Sequence, residues 1–142
     1  MMTTILSFIN AIILTTISAI HFYWMFGGKW GVAQSLPTTI EGKRVLNPKT
    51  LDCAIVAIIF LLMAILFLNF AGIEVIKFPN WILKYGVWVL SAIFLFRAIG
   101  DFKFVGFTKT IKSTEFAQLD SKFYAPLCLF LSITCFIISY LK

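Results

Sequence analysis

Six side chains stand out for the chemistry they could do: His21, Trp24, Arg97, Asp101, Asp120 and Tyr124. His21 is the sequence's single histidine, and an imidazole exchanges a proton near neutral pH. It could handle a proton or bind a ligand, or it could simply hydrogen-bond within a helix bundle. Trp24 follows at i, i+3 and shares its helical face. Arg97 and Asp101 are four residues apart, close enough on a helix to pair. A carboxylate holding the planar guanidinium would aim it at a phosphate or carboxylate; the blander reading is an interfacial ion pair with a snorkelling arginine. Asn10 lies eleven residues before His21, three helical turns away, so both point the same way with Ser7 and Ser18 beside them. Cys53, Cys128 and Cys135 form no C-x-x-C pair. With one histidine they give no metal-ligand spacing, so no metal site is expected. Gly27-Gly28-Lys29-Trp30-Gly31 lacks the Gly-Lys-Ser/Thr pattern of a phosphate loop, and no nucleophile elbow, H-E-x-x-H or dinucleotide fingerprint occurs.

The elements that must position these residues follow from composition. Of 142 residues, 61% are hydrophobic and 13% charged, against roughly 25% charged in a soluble domain. A chain this short cannot hide so much apolar surface in one water-facing globule. A soluble domain, a disordered chain and a disulfide-rich module are therefore excluded. The net charge of +6 fits the lysine and arginine bias of membrane-protein loops. It forms no basic patch or stripe, so no nucleic-acid partner is expected. Four apolar runs, roughly 4–26, 51–73, 80–99 and 123–141, each approach the ~20 residues that cross hydrocarbon as a helix. Lipid leaves backbone groups no water to bond, so the spans should be helical. The expectation is an all-α integral membrane protein, a four-helix transmembrane bundle forming one domain over 1–142, with small residues such as Gly86 and Ala92 at helix crossings.

Local signals mark the boundaries. Asn47-Pro48 reads as an N-cap and first-turn proline opening the second span. Asp120 or Ser121 reads as the cap of the fourth, with Pro126 near its first turn and a short helix around 114–119 before it. The first run lacks the basic n-region and cleavage site of a signal peptide. The two long loops and adjoining helix ends hold eight or nine basic residues against three on the opposite side, which predicts both termini outside and both long loops in the cytoplasm. Helix, long basic loop, helix and short turn then repeat once, as a faint internal duplication. Four spans bring the end of helix one, the start of helix two, the end of helix three and the start of helix four to one membrane face. His21, Asp52, Arg97, Asp101, Asp120 and Tyr124 should converge there, and Trp24, Trp30, Trp81 and Tyr85 should mark interfaces.

The run His21-x-x-Trp24, Gly27-Gly28-x-Trp30-Gly31, Arg97-x-x-Gly100-Asp101, Gly106-Phe107 and Phe116-Ala117-x-x-Asp120-x-x-x-Tyr124-x-Pro126-Leu127-Cys128 resembles a family of small bacterial membrane proteins of unknown function, catalogued as domain of unknown function 3995. The resemblance implies four helices and a bacterial inner membrane, and no established activity. Ala125 stands where the pattern implies a serine, so a hydroxyl there is not essential in this chain.

Three functions fit. The first is a binding or transport component in which His21, Trp24, Arg97, Asp101, Asp120 and Tyr124 line a polar pocket open to the cytoplasm, for an anionic small molecule or lipid headgroup. The second is a structural or accessory subunit, including a homo-oligomer, in which the same cluster only ties helix ends together. The third is a membrane-embedded enzyme acting on a lipid headgroup, with His21 as acid/base and Arg97 on the phosphate. One histidine without an evident partner weighs against the third, and no cofactor is specified.

Overall fold

The computed structural model describes residues Met1–Lys142. Its elements are α1 (Met2–Met25), α2 (Val32–Ser35), α3 (Thr50–Phe70), α4 (Asn80–Ile99), α5 (Glu115–Leu119), a π-helical turn (Asp120–Tyr124) and α6 (Ala125–Leu141). Beyond these there is one isolated antiparallel bridge, Thr38 to Arg44. The fold is an all-α, four-helix membrane bundle. Four helices are long and apolar enough to span: α1, α3, α4 and the continuous run Glu115–Leu141.

Their outer surfaces are apolar, unlike those of a soluble bundle. Ser7, Asn10 and Ser18 are buried on α1, while Ile12 is 65% exposed there; on α4 Phe96 is 70% exposed. Buried polar groups on α1 beside large apolar side chains facing outward is the arrangement lipid selects, because hydrocarbon solvates the latter and penalises the former. α3 carries no charged side chain between Cys53 and Phe70.

Two boundaries depart from the sequence expectation. α3 is capped at Lys49, not at Asn47: the Lys49 backbone N–H donates to Asp52 Oδ2 at 2.7 Å. A carboxylate at the third helical position satisfies an otherwise orphaned donor and meets the positive end of the dipole. Asp52 is therefore spent on helix initiation. The fourth span begins at Glu115 rather than near 123, with the Thr114 hydroxyl accepting from Ala117 N–H. Neither Asp120 nor Ser121 caps it. Both lie in the π-turn, where the Ala125 N–H reaches back to the Asp120 carbonyl. Pro126, with no N–H and a ring that crowds the preceding turn, follows this widening at once.

Contacts divide the chain into two compact units. The first comprises Met1–Gly28, Pro48–Val89 and Thr134–Lys142. In it α1 packs along α3. The Ser18 hydroxyl donates to the Ala57 carbonyl at 2.7 Å, and the Thr134 hydroxyl donates to Asn10 Oδ1 at 2.9 Å. The seam on α1 thus faces protein. The second comprises Lys29–Asn47 and Leu90–Ile133. Here Ser91 on α4 and Ser132 on α6 each donate a side-chain hydroxyl to the other's carbonyl, at 2.9 and 2.8 Å. The crossing expected at Ala92 lies one residue earlier, and Ala92 is exposed.

Candidate functional site

The densest polar constellation belongs to the second unit and is organised by the backbone that follows α4. Gly100 and Gly106 have φ of +93° and +82°, the left-handed region that costs a side-chain-bearing residue energy. A Cβ on Gly100 would overlap the Val105 carbonyl, and one on Gly106 would overlap the Ile99 carbonyl. This close approach folds the loop back over the end of α4. Phe107 N–H donates to the Ala98 carbonyl at 2.8 Å, and Thr108 N–H donates to the Ile99 carbonyl at 3.1 Å. The helix's last two carbonyls are thereby satisfied.

Asp101 is used inside this loop. Its Oδ1 accepts from the N–H groups of Lys103, Phe104 and Val105 at 3.0, 2.7 and 2.9 Å. Slight burial pushes its carboxyl pKa up. The bonds from Val105, Lys103 and Phe104 stabilise the anion more strongly and hold it below its usual range. The expected Arg97–Asp101 pair does not form. Asp101 turns toward its own loop because α4 ends at Ile99 and the i, i+4 relation never extends to residue 101.

Arg97 pairs instead with Asp120, Nη2 to Oδ1 at 3.0 Å. Asp120 is fully buried. Its Oδ2 accepts from Gly106 N–H at 2.7 Å and from Lys109 Nζ at 3.1 Å. Lys109, only 2% exposed, also donates to the Gly106 carbonyl at 2.9 Å and to the Ser121 hydroxyl at 2.7 Å. Its three ammonium donors are matched by three acceptors. Two cations meet one carboxylate here, leaving one positive charge. The Arg97 Nη1 atom is shielded from solvent and has no hydrogen-bond partner. Tyr124, one turn beyond Asp120, donates its hydroxyl to the Gln34 carbonyl at 3.3 Å and leans on the Phe116 ring.

His21 and Trp24 belong to the first unit. His21 Nδ1 donates to the Ile17 carbonyl, one turn back on its own helix, at 2.8 Å. That bond requires a proton on Nδ1, because a carbonyl oxygen only accepts. Its ring meets Trp24 edge-on at 4.8 Å and Phe60 at 5.7 Å.

Of the six sequence-predicted residues, the structure joins Arg97 directly to Asp120, places Tyr124 on the same helical run, and assigns Asp101 to the loop. Lys109, Gly106 and Ser121 were missed as members of the cluster. Lys109 reads as one more basic loop residue, and only its eventual partner eleven residues later in the chain marks it out.

The model of a family described as a protein of unknown function (DUF3995) matches residues 14–135. No curated protein and no solved structure matches the chain. The match covers most of the chain, which therefore belongs to this family.

Proposed function

We propose that this DUF3995 protein is a binding or transport component of the bacterial cell membrane, and that Arg97 receives an anionic oxygen-bearing group, a small molecule or a lipid headgroup, at the cytoplasmic face. The observation that carries the reading is the Arg97 guanidinium. Asp120 holds one edge, and Nη1 is shielded from water without a partner. A buried, unsatisfied donor on a cation is costly, and an incoming anion is one group that would satisfy it. The residual positive charge of the Arg97–Lys109–Asp120 cluster favours the same ligand sign. Asp120 acts as a positioning residue in this reading. The lysine and arginine bias of the two long loops supports a cytoplasmic cluster with both termini outside.

One observation favours a structural or accessory role instead. Asp101, Asp120 and Lys109 are all bonded within the chain, as in a clasp with no ligand of its own. The two readings separate in thermal unfolding of the detergent-solubilised protein titrated with inorganic phosphate and with dihexanoyl phosphatidylglycerol. A ligand bound at 100 times its Kd stabilises the folded state by about 2.7 kcal/mol. The binding reading expects a rise in Tm that Arg97→Lys largely removes, because lysine keeps the charge and loses the planar fork. An equal rise in both proteins, or none in either, overturns it in favour of the clasp.

A further inference from the structure

A second feature lies wholly within the first unit and owes nothing to Arg97. The end of α3, the first turns of α4 and the end of α6 lie at the same membrane boundary, because α3 and α4 are joined by a short turn and α6 returns to the side from which α4 departs. They line a half-open cleft of about 450 Å³, inside the roughly 300–1,000 Å³ range of small-molecule sites. Phe70, Val87 and Trp88 supply apolar wall, and Lys84, Ser139 and Lys142 supply polar groups. The lining contains no acidic side chain. The Ser139 hydroxyl is shielded from solvent and unpartnered. The Lys142 ammonium folds over the Phe70 ring, 3.6 Å from its centroid, and Lys84 rests over Tyr85. Partial burial pushes the Lys142 pKa down, the direction a neighbouring anion would reverse. Trp81 and Tyr85, both more than half exposed on the same turns of α4, fit the aromatic belt at headgroup depth.

We infer that this pocket binds the phosphate end of an anionic lipid, with Lys84 and Lys142 on the phosphate, the Ser139 hydroxyl on an ester oxygen, and the proximal acyl chain against Val87 and Trp88. Two ammonium groups without a carboxylate partner set the sign of the ligand. The apolar wall and the unsatisfied hydroxyl set its amphiphilic character. The depth in the membrane selects a lipid over a freely dissolved anion.

The test titrates the full-length Arg97→Lys variant, in which the anion site proposed above is removed, in maltoside micelles with dihexanoyl phosphatidic acid, following tryptophan fluorescence. Dihexanoyl phosphatidylcholine and inorganic phosphate serve as the two comparison probes. Phosphatidic acid should bind at least tenfold more tightly than either. Lys84→Gln with Lys142→Gln should weaken it by about tenfold per lysine, the scale of one charge-assisted hydrogen bond. In the same background Ser139→Leu, which fills the pocket, should abolish the remaining binding while helical circular dichroism is unchanged. Unaltered affinity in the double lysine variant overturns the proposal. Equal binding of inorganic phosphate overturns the assignment to lipid, and equal binding of phosphatidylcholine overturns the role of the lysines.

Discussion

Replacing Asp120 by asparagine keeps an acceptor for the Gly106 N–H but strips the only anion from Lys109, which is 2% exposed. A buried charge deprived of its partner costs about 3–5 kcal/mol. Asp120→Asn should therefore lower stability by about 3 kcal/mol in reversible detergent unfolding. Adding Lys109→Met should restore part of that loss, because the orphaned cation is gone. Strict additivity of the two substitutions would show that the ion pair is not coupled. Asp101 behaves differently because it is mostly exposed and its bonds are to backbone. Its folded-state pKa lies below its unfolded value. Its contribution is thus complete above the unfolded pKa and is lost as pH falls through the folded one. Stability should decline as pH drops below about 4, and Asp101→Asn should flatten that limb of the Tm-versus-pH curve while lowering the plateau at neutral pH.

The loop after α4 is held by backbone geometry as much as by charge. Gly100→Ala places a Cβ against the Val105 carbonyl at φ +93°. The left-handed conformation alone costs about 1–3 kcal/mol for a non-glycine residue, and the overlap forces the 100–106 segment off α4. Gly106 would then be displaced from Asp120, so the loss should exceed that of Gly86→Ala inside α4. At Gly86 an added Cβ meets only ordinary contacts, Ile82 at 3.4 Å and Leu66 at 3.6 Å. Comparable melting temperatures for the two variants would contradict this account. The π-turn also belongs to this scale. By carrying one extra residue before Pro126 it sets the register in which Asp120 rather than a neighbour enters the cluster.

For the molecule as a whole, orientation rests on the lysine and arginine count, which predicts Lys43 and Lys112 inside and Glu74 outside. All three are exposed, so each is a fair labelling position. With Cys53, Cys128 and Cys135 replaced, a membrane-impermeant maleimide added to intact cells should label Glu74→Cys and spare Lys43→Cys and Lys112→Cys. The reverse pattern would invert the protein and move the Arg97 cluster to the outer face. Lys109 is unsuited to such labelling, since it is an interior residue despite its place in a basic loop.

The presence of four long apolar helices, the positions of the first three, and the inward face of Asn10 and Ser18 were legible in the residues themselves. Hydrocarbon thickness sets span length, the absence of water forces each backbone group to bond within its helix, and the 3.6-residue period aligns polar side chains on one face. Each of these depends on a short stretch of chain. Tertiary structure alone decided that Asp120 rather than Asp101 holds Arg97, and that Lys109 is buried. Arg97 and Asp120 are 23 residues apart, and their meeting depends on the path of the loop between them. That path turns on two left-handed glycines, on the Asp101 carboxylate drawing in three consecutive N–H groups, and on a π-turn before a proline. Helical spacing gave the correct distance for an Arg97–Asp101 pair, but the helix ended two residues too soon for it to form.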